Sequence, residues 1–539
     1  MRGLICILIG SGVGLVKAAE PALTHIHPAG VQTGKVTEVV MSGKFEPWPC
    51  RVWADVAGIE FVPGKEAGKY AVTVGAGVVP GPHLIRVYND DGVSLPVALA
   101  VDGREQTAEV EPNDDIRKPQ VLGSAGAVCN GRLDKSGDVD LYRVSLRAGR
   151  VLTARVEATV LAAGCDMMLR VTDAAGVTVA FNHDHVSMDP LVVWRVERDG
   201  DYVIQVSGHR YPASTELNFA GGADGIYRLH VSDGPVVRHV WPLGVARVEK
   251  PRVKVEGWNL EGGEMEIDPV RPPCPVMWSV IPEVEEAVEK VVLAVPTAVS
   301  GRLAVRGEED RYPFEVKKGE VRVLTVTGPT HDSLIDPLVR ILGSDGKELV
   351  SGDDNGVSRE PVVTWTAPEA GTYFAAVSDL TKQGGEDYFY RLEMNVPVPT
   401  VSAVAAGHAV RVEAGKSGEV KTTVTLGGGY AKRLQVVVKG LPEGVSAAAV
   451  DVPEKGGEVV VAIKAEAGAG RYAGPIRVVL REVEGGMERA VRFPLNSVAE
   501  NNGVPQGFPV LLVNETEQLW LSVVPAAVAA PAAEAPKAP

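Results

Sequence analysis

The chain repeats itself, and that constrains its fold more than any other feature. Residues 165–206, CDMMLRVTDAAGVTVAFNHDHVSMDPLVVWRVERDGDYVIQV, align with residues 335–377, IDPLVRILGSDGKELVSGDDNGVSREPVVTWTAPEAGTYFAAV. Asp166 matches Asp336, Gly176 matches Gly346 and Asp184 matches Asp354. After a one-residue slip, Pro190, Trp194, Gly200 and Tyr202 match Pro361, Trp365, Gly371 and Tyr373. The flanks repeat as well: IHPAGVQTGKVTEVVMSGKF at 26–45 is similar to VWPLGVARVEKPRVKVEGWNL at 240–260. The building unit is therefore a small module followed by a larger one, and it occurs twice.

Alternation sets the secondary structure. DLYRVSL, VLTARVEA, DYVIQVSG and YRLHVSD place an apolar residue at every second position, the period of a strand with one buried face. Asp-Gly at 199–200 and 345–346 marks hairpin turns. The best candidate for a helix is EVEEAVEKVV at 283–292, and it is short. A chain of 539 residues exceeds one core, and 60 glycines and 38 prolines suit short strands joined by tight turns. The expected fold class is all-β, with tandem β-sandwich domains of immunoglobulin-like and jelly-roll type. The expected boundaries are 21–104, 105–234, 235–300, 301–397 and 398–524, followed by a disordered Ala/Pro tail at 525–539.

The N-terminus reads MRGLICILIGSGVGLVKAAE. A single arginine, an apolar run too short to span a bilayer and small residues near Ala18 predict a signal peptide over 1–18. The mature chain is then exported, to the periplasm, cell surface or medium, with no transmembrane segment. A formal net charge of −15 repels phosphate backbones and argues against nucleic acid as a partner. Cys50, Cys129, Cys165 and Cys274 remain after cleavage. Cys129 and Cys165 fall in one expected domain and are the candidate disulfide; buried thiols are the alternative.

One stretch concentrates charge. TAEVEPNDDIRK at 107–118 carries four carboxylates and an amide between Glu109 and Asp115. Carboxylates crowded together repel each other unless a cation lies among them or one takes a proton. An acidic turn capped by Asn113 or Asp114 is the simpler reading.

The larger repeat resembles the bacterial pre-peptidase C-terminal domain, through EVEPNDD, CNGRLDKSGDVDLYRVSLRAG, DMMLRVTDAAG, FNHDH, DGDYVIQV and YRLHV. The resemblance covers about 109–233 well. Residues 301–396 look like a weaker copy, with EEDRYPFEVKKG but no Glu-Pro-Asn-Asp lead. The small modules resemble IPT/TIG immunoglobulin-like modules, and the arrangement is similar to secreted surface proteins of planctomycete-type bacteria. The pre-peptidase resemblance implies a jelly-roll sandwich that is an appendage rather than a peptidase. The related collagen-binding domains of clostridial collagenases hold calcium through a Glu-x-Glu-x-Asn-Asp lead and a Gly-Asp loop. Carried over here, the implied Ca2+ ligands are Glu109, Glu111, Asn113, Asp114, Asp138 and Asp140. The loop SGDVDLY is one residue shorter than the family form. The second copy lacks the lead, so no equivalent site is expected there.

Other residues carry weaker signals. In FNHDHVSMD, alternation puts His183 and His185 on one side of Asp184, a spacing that admits zinc. The second copy reads SGDDNG there, so the shared Asp184/Asp354 points to a turn instead. His25 and His27 read as ordinary surface or core histidines. The chain has no His-Glu-x-x-His, no Gly-x-Ser-x-Gly and no Gly-x-x-x-x-Gly-Lys-Ser/Thr phosphate loop. Trp194 and Trp365 occupy equivalent positions and read as core; Trp53 and Trp258 read as core or edge packing, with stacking on a sugar or peptide as the alternative. The function these features favour is an exported non-enzymatic scaffold or adhesion protein. The alternatives are a module binding extracellular protein or polysaccharide, and an accessory subunit of a secreted peptidase or hydrolase.

Overall fold

The computed structural model describes residues 19–526, apart from 123–125, 127, 186–187, 211–216, 249, 271, 287–290, 356–357 and 497–511. The expected signal peptide and all but the first two residues of the Ala/Pro tail lie outside the described residues. The fold is all-β, a series of β-sandwiches.

The first small sandwich has two four-stranded sheets. One contains Ala22–His27, Val36–Lys44, Lys69–Val74 and Ile59–Pro63; the other contains Gly30–Gln32, Val97–Asp102, Gly81–Tyr88 and Arg51–Ala54. The chain changes sheet between His27 and Gly30, and Gly30–Gln32 then runs parallel to the last strand. That is the strand order of an immunoglobulin-type sandwich. Alternating residues from both sheets, Ile26, Val31, Val72, Ile85 and Leu99 among them, fill its core. The C-terminal sandwich repeats the pattern, with Ala409–Glu413 parallel to Gln518–Val524.

The first large sandwich packs a sheet of Gln120–Val121, Asp140–Leu146, Gly200–Arg210, Cys165–Thr172 and Thr178–Asn182 on another. The second sheet holds Leu191–Arg195, Val151–Glu157, Ile226–Ser232, Val128–Arg132 and Gln106–Ala108. The second large sandwich follows the same plan. Trp194 stands edge-on to Tyr202 at 5.1 Å, and Trp365 stands edge-on to Tyr373 at 4.8 Å, so the matched tryptophans do pack on the cores.

Three expectations need correction. The boundary at 300/301 falls inside the strand Thr297–Arg302. Glu283–Glu285 pairs with that strand in parallel, as Gln106–Ala108 pairs with Val128–Arg132, so the second large sandwich begins before residue 283. The expected helix at 283–292 therefore opens as a strand, its propensity overridden by sheet pairing. Cys129 and Cys165 form no disulfide. They sit on opposite sheets and fill the core between them as small apolar groups.

Each small module is docked rather than tethered. Ala29 packs on Leu161 and Ile226 of the first large sandwich. A Cβ on Gly30 would lie 2.4 Å from Arg228 Nε, so only glycine permits this approach. Arg228 in turn pairs with Asp102 at 3.1 Å and Glu157 at 2.5 Å. In the second unit Gly244 abuts Glu283, which pairs with Arg391 at 2.6 Å. The last sandwich returns to the first module. There the fully buried Arg86 donates to His408 Nδ1 at 2.9 Å and to the Gln518 carbonyl at 3.1 Å. Trp53, at that junction, stands edge-on to Trp520 at 6.1 Å.

Candidate metal centre

The acidic lead is positioned by the parallel strand before it. Gln106–Ala108 ends at the sheet edge, and the Glu109 amide continues the ladder by donating to the Asn130 carbonyl at 3.0 Å. The Glu109 side chain then turns over the end of the sheet. Its Oε2 accepts from the Arg132 amide at 2.8 Å; its Oε1 accepts from Asn113 Nδ2 at 3.0 Å and from the Tyr142 hydroxyl at 3.2 Å.

Asp140 comes from the facing sheet, at the start of Asp140–Leu146. Its Oδ2 lies 2.6 Å from the Tyr227 hydroxyl, and the Tyr227 and Tyr142 hydroxyls lie 2.6 Å apart, so the two hydroxyl protons are shared along a chain of three contacts that ends on Glu109. The Asp140, Tyr142 and Tyr227 side chains are fully buried. Gly131 makes room for them, because a Cβ there would lie 2.3 Å from Tyr227 Cζ. Asp138 and Asn113 are each 1% exposed. Asp138 Oδ2 accepts from the Asp134 amide at 2.6 Å, and the Lys135 ammonium stands 3.8 Å from its Oδ1.

The fold gathers three of the six expected ligands, with Asn113 bonded to one of them and Asp138 outside the group. Glu109, Glu111 and Asp140 each bring a carboxylate oxygen within 4.8 Å of the others. Asp114 is exposed and stands outside this group. Asn113 Oδ1, Asp138 Oδ1 and Asp140 Oδ1 are enclosed and have no hydrogen-bond partner. Each such buried acceptor costs about 1–3 kcal/mol if left so. Burial first, and the charge of Glu109 next, push the Asp140 carboxyl far above the usual range. The same two causes raise Glu111. A hard cation would supply the missing partner and remove the repulsion, and the donors are all oxygen.

The second copy also gathers carboxylates at the corresponding place, a grouping that sequence reading did not foresee. Glu286, Glu308 and Asp310 also bring carboxylate oxygens within 4.8 Å of one another. Glu286 accepts from the Arg302 amide at 2.8 Å, as Glu109 does from Arg132. Tyr390 donates to Asp310 at 2.5 Å and meets Tyr312 at 2.7 Å. The signal was present in Asp-x-Tyr at 140–142 and 310–312 and in Tyr-Arg-Leu at 227–229 and 390–392. Glu286 itself was hidden in a stretch that reads as helical.

The two histidines of FNHDH do not share a partner. His183 Nε2 lies 3.3 Å from Asp166, whereas His185 Nε2 lies 2.8 Å from Asp332 in the second large sandwich. His25 is buried and His27 half-buried, at the docking face of the first module. Trp258 lies at the second module's junction, under the Arg238 guanidinium at 5.4 Å. Among the described residues no helix is long and apolar enough to cross a membrane.

No protein-family model matches the chain, and no curated protein does. Solved structures with distant similarity include two bacterial proteins. One holds the M60 catalytic domain with the CBM51-1 and CBM51-2 domains of ZmpB from Clostridium perfringens, with 8% identity and a TM-score of 0.14. That match covers 71% of this chain and 55% of the other, so the chain spans little more than half of its length. The second is a DUF4785 family protein from Legionella pneumophila, with 10% identity, a TM-score of 0.10 and coverage of 68% and 91%. At these scores neither likeness carries an argument about fold or function.

Proposed function

We propose that this chain is an exported, non-enzymatic scaffold or adhesion protein of the pre-peptidase C-terminal kind, with a structural calcium ion in its first large sandwich. Glu109, Glu111, Asn113, Asp138 and Asp140 hold the ion. The observation that carries this reading is the trio of enclosed oxygens on Asn113, Asp138 and Asp140 that lack hydrogen-bond partners within an all-oxygen donor set. Calcium takes roughly six to eight such ligands, in flexible geometry. The ion ties the lead segment to both sheets, and no chemistry is performed at it.

The docked modules support the scaffold half of the reading. Gly30 against Arg228 and Gly244 against Glu283 fix each small module on its large partner, and Arg86 joins the first sandwich to the last. Such a body presents sandwich faces at set spacings to an extracellular protein or polysaccharide. Trypsin tests the clamp. Arg117 is 82% exposed at the end of the lead, and cleavage there requires the lead to open locally. Calcium is expected to slow cleavage after Arg117 relative to a chelator. Equal rates in the two conditions would remove the clamp.

A further inference from the structure

The loop after the edge strand Thr178–Asn182 reaches two ways. His185 contacts Asp332 of the second large sandwich at 2.8 Å, where Arg238 also holds Asp332 at 3.0 Å. His183 instead turns back over its own sheet toward Asp166, on the strand Cys165–Thr172. Asp184 Oδ2 stands 3.8 Å from His183 Nδ1. One donor atom from each of Asp166, His183 and Asp184 lies within 4.8 Å of the other two.

His183 and Asp166 are in close ion-pair contact. Nε2 and Oδ2 are 3.3 Å apart, and the other carboxylate oxygen, the enclosed Asp166 Oδ1, has no hydrogen-bond partner. Two donors bound to one tetrahedral ion at about 2.0 Å are separated by about 3.3 Å. An imidazole with two carboxylates is also the wrong donor set for calcium and the right one for a borderline ion. His209 stands directly across the ladder from Asp166 and is exposed, with its ring 5.7 Å from that of Phe219.

We propose that Asp166, His183 and Asp184 form a second metal site, distinct from the calcium cluster, that takes a divalent transition ion of the zinc class. Metal there fixes the loop whose next residue, His185, contacts the second large sandwich. The second copy places Asp336, Asp353 and Asp354 at the matching positions, with no imidazole, and so lacks the site.

Cobalt(II) absorption tests this on tag-free chain 19–539, with calcium held in excess so that the other cluster is filled throughout. The expected result is one cobalt per chain with a visible band, displaced by zinc. His183→Ala and the volume-matched Asp166→Asn should each weaken binding about tenfold or more. Asp354→Asn should leave it unchanged. The proposal is overturned if no band forms and no zinc is retained after dialysis. It is equally overturned if both variants, folded by thermal melting, bind as the unsubstituted chain does. Trypsin protection by calcium reads the other cluster, so either site can fail alone.

Discussion

In the first large sandwich Asp140, Tyr142 and Tyr227 form a buried hydrogen-bonded set; in the second, Asp310, Tyr312 and Tyr390 form the same set. Above the first stand Glu109, Glu111, Asp138 and the Asn113 amide. Above the second stand Glu286 and Glu308. The polar network that joins the two sheets is kept, while the donors around it change. A buried carboxylate bonded to one phenol that is itself bonded to a second leaves little freedom, because removing any member strands the others. The outer donors differ between the copies, although in the first Glu109 bonds Tyr142 and so joins the network.

Four substitutions or conditions would break or sharpen this comparison. The largest effect is expected from Gly131→Ala and Gly301→Ala. The added methyl meets a tyrosine ring carbon or hydroxyl within 2.3–2.5 Å in either copy, and each should cost about 3 kcal/mol in urea unfolding. A tolerant copy would mean that the network is not shared. Next come Tyr227→Phe and Tyr390→Phe, which leave Asp140 and Asp310 short of a donor; about 2 kcal/mol each is expected from thermal melts.

The third is a pH effect at a position where the two units differ. Where the second unit has Trp241 under the Arg302 guanidinium at 5.2 Å, the first has His27. Burial, then Arg132, lowers His27 to about 4 from the ordinary 6.5. Between those values the unfolded chain binds the extra proton. The stability contributed by neutral His27 is therefore complete above pH 6.5 and falls away toward pH 4. The loss should be on the order of 1–2 kcal/mol after solvent screening. His25, His230, His331 and His408 are also lowered by burial, so His27→Trp should reduce, not abolish, the fall of melting temperature over that window, and an unchanged profile would refute the assignment. The smallest effect is expected from Glu308→Gln, which should leave calcium-binding heats as they are.

Much of this was legible before any coordinates. Alternation marked the strands because one face of each meets a core, and the matched tryptophans lie where repeated turns and aromatics put them. The lead at Glu109–Asn113 was legible as a cluster of like charge without a neutralising partner. What was hidden depended on pairing across distance. Glu283–Glu285 is built of residues that also suit a helix, and only its parallel partner Thr297–Arg302 makes it a strand. Cys129 and Cys165 share a domain, but spacing does not say that they face each other from different sheets. Asp166 stands 17 residues before His183, and only the pairing of Cys165–Thr172 with Thr178–Asn182 brings them together.

The most direct measurement is calorimetric calcium titration of chain 19–539 beside its Asn113→Ala plus Asp138→Asn variant, each also melted with and without chelator. One saturable event with a raised melting temperature, lost in the variant, is the expected result. No heat and no shift in the unsubstituted chain, or equal binding by the variant, would contradict a calcium ion at Glu109, Glu111, Asn113, Asp138 and Asp140.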